Sequence, residues 1–408
     1  LSDPFAWLHR LERFGIKFGL DNITAVLDDL GRPDRAFRAV HIGGTNGKGS
    51  VAAMVDASLR AAGHRVGRYT SPHLIDLTER FVVDGRPIDA DALAAILADL
   101  RGVIDRLRER GRLDVHPTFF EVTTAAAFEV FRRAAVDVAV CEVGLGGRLD
   151  ATNVLIPEAT AITSIGLDHQ QYLGATLREI AVEKAGILKP GIPVVLGRMD
   201  RIAYDAIAHA ARQRGAPLVT ADIGAYRQVE LGLRGAHQRE NAAVAVTLLE
   251  TLNHRGIVTS PAAIVGGLEN ACWPGRLDLR RLADGREALL DAAHNPDGAA
   301  ALAAFLESSP FKGAPLIFGA SRDKDAARML AALAPAVSAI VFTRASNARA
   351  ADPDELAAVA GTIAPRVPVI VAASLADALD DAWRRSPRLV IAGSIFLLGD
   401  VMKEVGWS

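Results

Sequence analysis

His41-Ile-Gly-Gly-Thr-Asn-Gly-Lys-Gly-Ser50 is the stretch that decides how this chain folds. The apolar run over 37–42 leading into it predicts a buried strand, and helical spacing begins directly behind it, over 50–62. Gly63 stands where that helix should stop, because glycine accepts the left-handed cap. Between strand and helix, glycines let backbone N–H groups turn inward toward phosphate oxygens, and the helix N-terminus adds partial positive charge. The candidate nucleotide-binding residues are therefore Gly44, Thr45, Asn46, Gly47, Lys48, Gly49 and Ser50, with Lys48 reaching the outer phosphates. In the usual phosphate loop Ser or Thr follows the lysine directly. Here Gly49 intervenes and Ser50 comes one residue later. The plain alternative is a glycine-rich turn with an exposed lysine; the strand before and the helix after favour phosphate.

Outward from this stretch, short β-branched runs alternate with helical patterns, which is the mark of βαβ units around a mainly parallel sheet. Strands are expected at 37–42, 65–69, 136–143, 160–165 and 193–196, and helices at 50–62, 121–133, 177–188 and 240–252. A second series follows Trp273-Pro-Gly275, with strands at 288–292, 315–318, 339–342, 367–372 and 389–392 and helices at 297–306 and 375–384. The expected architecture is two α/β domains: 1–272, a hinge at 273–278, and a smaller domain at 279–408. A chain of 408 residues exceeds what one core usually spans.

A formal net charge of -2 argues against a broad footprint for nucleic acid or an anionic membrane. Cys141 and Cys272 lie far apart and in no metal-type spacing, which fits a reducing cytoplasm. The longest apolar stretch, near 389–399, is too short to span a bilayer, and the N-terminal segment has no signal-peptide pattern.

Four further places could carry chemistry. Glu142 closes the valine-rich run 136–143, and acids beyond strand ends in open α/β sheets can hold Mg²⁺. A structural salt bridge is the alternative, although the glycines that follow permit close approach of a ligand. His169, past another strand end, is a candidate ligand near phosphates; Ser71, in a Thr-Ser-Pro-His turn, is on spacing alone an ordinary turn residue. Lys184 shares a helix face with Leu177, Ile180, Ala181 and Leu188. Turned inward it would favour the neutral amine, which can take up CO₂ as a carbamate; otherwise its stem snorkels to solvent. In a last group with Asn241, Asp291 after an apolar strand suits ribose hydroxyls and Arg276 in the hinge suits phosphates, with a turn acid and an interface salt bridge as the bland readings.

Taken in order, eight segments resemble folylpolyglutamate synthase and dihydrofolate synthase of the Mur-ligase family. They are Gly43–Ser50, Tyr69–Leu74, Glu142–Asn153, Gly166–His169, Glu183–Pro190, His237–Asn241, Trp273–Arg276 and Asp291–Pro296. Ala292 and Gly43 stand where that family more often has Gly and Ala. The resemblance implies an N-terminal P-loop-type Mur-ligase ATPase domain and a Rossmann-like C-terminal domain, with the active site between them. It implies ATP- and Mg²⁺-dependent joining of L-glutamate to dihydropteroate or a folate through an acyl phosphate, by a monomer acting on small molecules. It assigns Ser71, Glu142 and His169 to metal, with two metal sites expected, and makes Lys184 a carbamylated lysine. Asn241, Arg276 and Asp291 become nucleotide contacts. Thr118, Phe119, Phe120, Glu121, Leu149, Asp150 and Ala151 become the dihydropteroate segments. Lys48, Lys184, His169 and His294 are the residues expected to act in catalysis. A muramyl peptide ligase would carry a further nucleotide-sugar domain before the phosphate loop, which the roughly forty preceding residues are too few to form. A nucleotide switch or a small-molecule kinase would not need glutamate.

Overall fold

Val40 and Ile42 are fully buried and flanked on both sides by other strands, so the run into the glycine turn forms the middle of a sheet. The computed structural model describes residues 3–15, 19–224 and 226–407. These fall into two compact units. The first takes in Leu1–Ile165, Tyr172–Gly232 and Glu240–Ala271, the second Gly166–Gln171, Leu233–Arg239 and Cys272–Ser408.

The first unit is built on β1 (Arg38–Gly43), β2 (Val66–Tyr69), β3 (Phe81–Val83), β4 (Arg86–Pro87), β5 (Val138–Glu142), β6 (Ala159–Ile162), β7 (Val194–Leu196) and β8 (Leu218–Thr220). They lie in the order β4-β3-β2-β5-β1-β6-β7-β8, parallel except for the edge hairpin of β3 and β4. In register, Ile42 faces Glu142 of β5 and Gly43 faces Ile162 of β6. Three strand ends therefore deliver their loops to one place.

Helix Lys48–Ala61 is buried along most of its length, from Ser50 to Leu59. It meets helix Pro261–Asn270 where a Cβ on Gly267 would stand 2.1 Å from Ser58 Oγ, so only glycine permits that approach. On the other face, helix Ala90–Glu109 packs a stripe of Leu93, Ile96, Leu97, Leu100, Ile104 and Leu107 into the core shared with helix Phe119–Arg133.

Two expected elements end early. The strand expected to 165 stops at Ile162; Thr163 still bonds the last residue of β1, and from Ser164 onward the backbone supports the glycine turn instead of a neighbouring strand. Thr163 N–H donates to Gly43 O at 3.0 Å, and Ser164 O accepts from Thr45 N–H at 2.7 Å. The helix expected to 188 is α-helical over Leu177–Lys184 and tightens to a 3₁₀ turn at Ala185–Ile187. There Arg148 N–H takes the Glu183 carbonyl at 2.9 Å, so a loop satisfies a group at the helix end.

The second unit holds β9 (Asp278–Arg281), β10 (Glu287–Asp291), β11 (Leu316–Phe318), β12 (Ile340–Phe342), β13 (Val369–Val371) and β14 (Arg388–Ala392). Their order is β13-β12-β11-β14-β10-β9, with only β9 antiparallel. Its core runs through Leu302, Leu306, Leu316, Phe318, Met329, Leu330, Leu333, Ile340 and Phe342. Among the described residues no helix is long and apolar enough to cross a membrane.

Candidate functional site

At the C-terminal end of β1 the backbone becomes one that only glycine adopts easily. Gly44 has φ 142° and Gly47 φ 86°. A Cβ would stand 2.0 Å from Thr163 Oγ1 at Gly44 and 2.2 Å from Asn241 Oδ1 at Gly47. The turn is held from below: Asn46 N–H donates to Ser164 Oγ at 3.1 Å, and Thr163 Oγ1 donates to Asn46 O at 2.6 Å. Gly47 caps helix Lys48–Ala61 with no side-chain bond, so the N-terminal amides of that helix receive no capping side chain from it. Ser50 is buried in the first turn, and Asn241 borders the loop through Gly47.

Polar side chains gather around this turn. Lys48 Nζ donates to Thr45 O at 3.2 Å and lies 3.8 Å from Glu142 Oε1. Glu142, 5% exposed at the end of β5, accepts from Ser71 N–H at 3.3 Å. Lys184 is equally buried, and its ammonium donates to Gly44 O at 2.8 Å; its stem does not snorkel to solvent. Among the described residues no three His, Cys, Asp or Glu side chains form a ready metal cage. Glu142 with Ser71 instead suits a hard cation that keeps water and takes phosphate oxygens as its other ligands.

The segments expected to hold a pterin lie in the same unit. Thr118 and Glu121 form a reciprocal cap on helix Phe119–Arg133, with Thr118 N–H donating to Glu121 Oε2 at 2.8 Å and Glu121 N–H to Thr118 Oγ1 at 3.2 Å. Phe119 and Phe120 are half-buried; Phe120 lies 6.1 Å from the Tyr69 ring, and Arg80 stands 5.2 Å over Phe119. Asp150 organises its own turn, accepting from Leu145 N–H at 2.8 Å and Thr152 N–H at 3.0 Å, and burial pushes its carboxyl up from the ordinary value. Leu149 is half-buried and Ala151 buried beside it. Thr152 Oγ1 also donates to Asp150 and is 2.8 Å from His41 Nε2, which makes that imidazole nitrogen the donor.

In the second unit, Asp291 ends β10 and is buried. Its oxygens accept from Leu277 N–H at 2.8 Å and Ala293 N–H at 2.9 Å. Burial raises its pKa, against the opposing field of Arg276, which is half-buried nearby. His294 Nδ1 donates to Ala292 O at 2.8 Å. His169 has φ 52°, uncommon for a residue with a side chain.

Sequence reading passed over the group that ties these together, Asp168. It accepts from Lys324 Nζ, from Asn295 Nδ2 at 3.2 Å and from His169 N–H at 2.9 Å, and lies 3.5 Å from His294 Nε2. Burial opposes its ionisation, but the His294 hydrogen bond and the charges of His169 and Lys324 hold its carboxyl far below the usual carboxylate range. Asp168, His169, Asn295 and Lys324, with Gln170, Asp323 and Asp325, line a cavity of about 100 Å³. Lys324 sits in the charged turn Ser321-Arg-Asp-Lys-Asp325 after β11, so the strand-end rule that flagged Glu142 would have found it.

Residues 275–395 match the family described as "Mur ligase, glutamate ligase domain". The dihydrofolate synthase/folylpolyglutamate synthase of Bacillus subtilis (strain 168) is 37% identical, over 84% of each chain. Among solved structures, Mycobacterium tuberculosis folylpolyglutamate synthase complexed with ADP and AMPPCP superposes with a TM-score of 0.90 at 34% identity, covering 99% of both chains. E. coli FolC in complex with DHPP and ADP gives 0.87 at 30% identity, covering 99% of this chain and 98% of the other.

Proposed function

This chain belongs to the folylpolyglutamate synthase/dihydrofolate synthase family of Mur-type ligases, and from that premise we propose how its residues divide the work. The enzyme is an ATP-dependent ligase that joins L-glutamate to a pteroate- or folate-type carboxylate, giving ADP and phosphate. A carboxylate is a poor acylating agent because its leaving group would be oxide. Phosphorylation by ATP gives a mixed anhydride whose leaving group is phosphate, and the glutamate amine displaces it to form the amide.

In this reading Gly44 to Ser50 wrap the triphosphate, and Lys48 spreads charge on the transferring phosphoryl group. Asn241, Arg276 and Asp291 contact the nucleotide, and His294 assists at the second unit. Glu142 and Ser71 hold a divalent cation, which supplies Lewis-acid screening of phosphate charge; His169 is assigned as a further metal ligand. Lys184, as a carbamate, turns a buried cation into an anion suited to a metal site. Thr118 to Glu121 and Leu149 to Ala151 carry dihydropteroate, so both acceptor types are used and the enzyme is bifunctional. The reading takes the protein as a monomer, checked by light scattering.

The observation that carries this is the meeting of Lys48, Glu142, Ser71 and Lys184 around one glycine turn. The test is mass spectrometry with ATP, Mg²⁺ and glutamate, offering dihydropteroate in one tube and tetrahydrofolate in another. Glutamyl adducts in both are expected, and none from folded Lys184→Ala. An adduct in only one tube would leave a monofunctional enzyme; phosphate release indifferent to glutamate would remove the ligase reading.

A further inference from the structure

Arg80 carries a charge that the site as described does not use. It is 8% exposed, and among the described residues no carboxylate ion-pairs with it. Buried arginines are nearly always paired, because a guanidinium out of water without a counter-ion is unfavourable. Its Nε donates to His73 Nδ1 at 3.0 Å, and its charge lies over the Phe119 ring at 5.2 Å. Glu12 and Glu142 act on it only from a distance, and the Tyr69 hydroxyl supplies a dipole instead of a charge. A cation–π contact offsets part of the desolvation. Among the described residues no anion meets the remaining N–H groups of the fork.

Its place in the fold says which anion would reach it. Arg80 O accepts from Thr70 N–H at 3.3 Å, so the guanidinium belongs to the turn that carries Ser71. Ser71 N–H in turn bonds Glu142. On the other side stand Phe119 and, through Tyr69, Phe120. Arg80 thus stands where an aromatic wall gives way to the polar groups around the glycine turn. A ligand with an aromatic body and a carboxylate tail has that same order of parts.

We propose that Arg80 is the counter-ion for a carboxylate of the acceptor substrate, gripping it through the guanidinium fork. This rests on the ligase reading above. Two carboxylates share the chemistry: the aryl carboxylate of dihydropteroate, which is the one activated, and the α-carboxylate of a folyl glutamate. A planar fork matches either in bidentate fashion, which a lysine cannot reproduce.

The test is calorimetric binding of matched pairs: dihydropteroate against its carboxamide, and tetrahydrofolate against its α-carboxamide. The wild-type protein should prefer carboxylate to amide by about 10- to 100-fold in at least one pair. Arg80→Gln should abolish that preference while the KM for ATP stays unchanged, a split that loss of structure would not produce. Collapse in the pteroate pair assigns the grip to the reacting carboxylate; collapse in the folate pair alone assigns it to the α-carboxylate. A preference kept by folded Arg80→Gln in both pairs overturns the proposal. Should Arg80→Gln not fold, Arg80→Lys decides, since it keeps charge and loses the fork: a preference undiminished there overturns it equally. Glutamyl adducts from the wild-type enzyme keep the ligase reading separate, whatever these variants do.

Discussion

His41 is wholly buried in β1, with Nε2 bonded to Thr152 and, among the described residues, no partner for Nδ1. Burial, with the nearby Lys189 charge, lowers its pKa from 6.5 to about 3. The sign follows directly. Below pH 6.5 the unfolded chain binds a proton that the folded chain refuses, so this contribution to stability is whole above 6.5 and is lost as pH falls toward 3. The slope approaches about 1.4 kcal/mol per pH unit. His41→Gln keeps a donor for Thr152 and cannot titrate, so its stability should fall less steeply over that window. Denaturant titrations at a series of pH values check this; parallel curves for the two proteins would mean that His41 is not neutral in the fold. Sequence alone placed His41 in a strand next to the glycines, but residue type cannot say whether an imidazole is paired, neutral or charged. The same holds for Lys184, where two orientations fitted one helix face and only the packing put the ammonium on Gly44 O.

The glycine turn and the helix behind it form the element to which nucleotide binding is assigned in the proposal above. Gly44 serves twice, through its positive φ and through the space a Cβ would take from Thr163. Gly44→Ala should therefore cost about 1–3 kcal/mol of stability and raise the KM for ATP by about tenfold or more, as the amides leave their positions. Thermal melts and initial rates measure the two; an unchanged KM for ATP would take the turn out of nucleotide binding. This element was legible because strand, glycines and helix are consecutive in the chain. Its support was not, since Thr163, Ser164 and Asn241 come from positions more than a hundred residues away, and no local pattern links them. The early stop of β6 has the same origin. Propensity over 160–165 favours a strand, but the hydrogen bonds that would continue it are taken by the turn.

At the scale of the molecule, each unit has its own sheet and core, and the second recruits Gly166–Gln171 from far along the chain. Asp168 is what that segment brings. Its pair with Lys324 has side chains 8% and 10% exposed, so Asp168→Ala leaves a buried ammonium unpaired. A loss of about 3 kcal/mol is expected, seen by hydrogen exchange as reduced protection in the second unit and not in the sheet around β1. Equal loosening of both units would show that the pair has no local role. By itself the sequence determined the alternation of strands and helices, the phosphate-type turn and the candidate acids, because apolar period, glycine and strand-end position are local properties. Only the tertiary structure decided which of these side chains meet. It gave Asp150 to a turn and Asp168 to a lysine, and among the described residues it left Arg80 buried without a carboxylate, since pairing and desolvation depend on neighbours that chain order does not reveal.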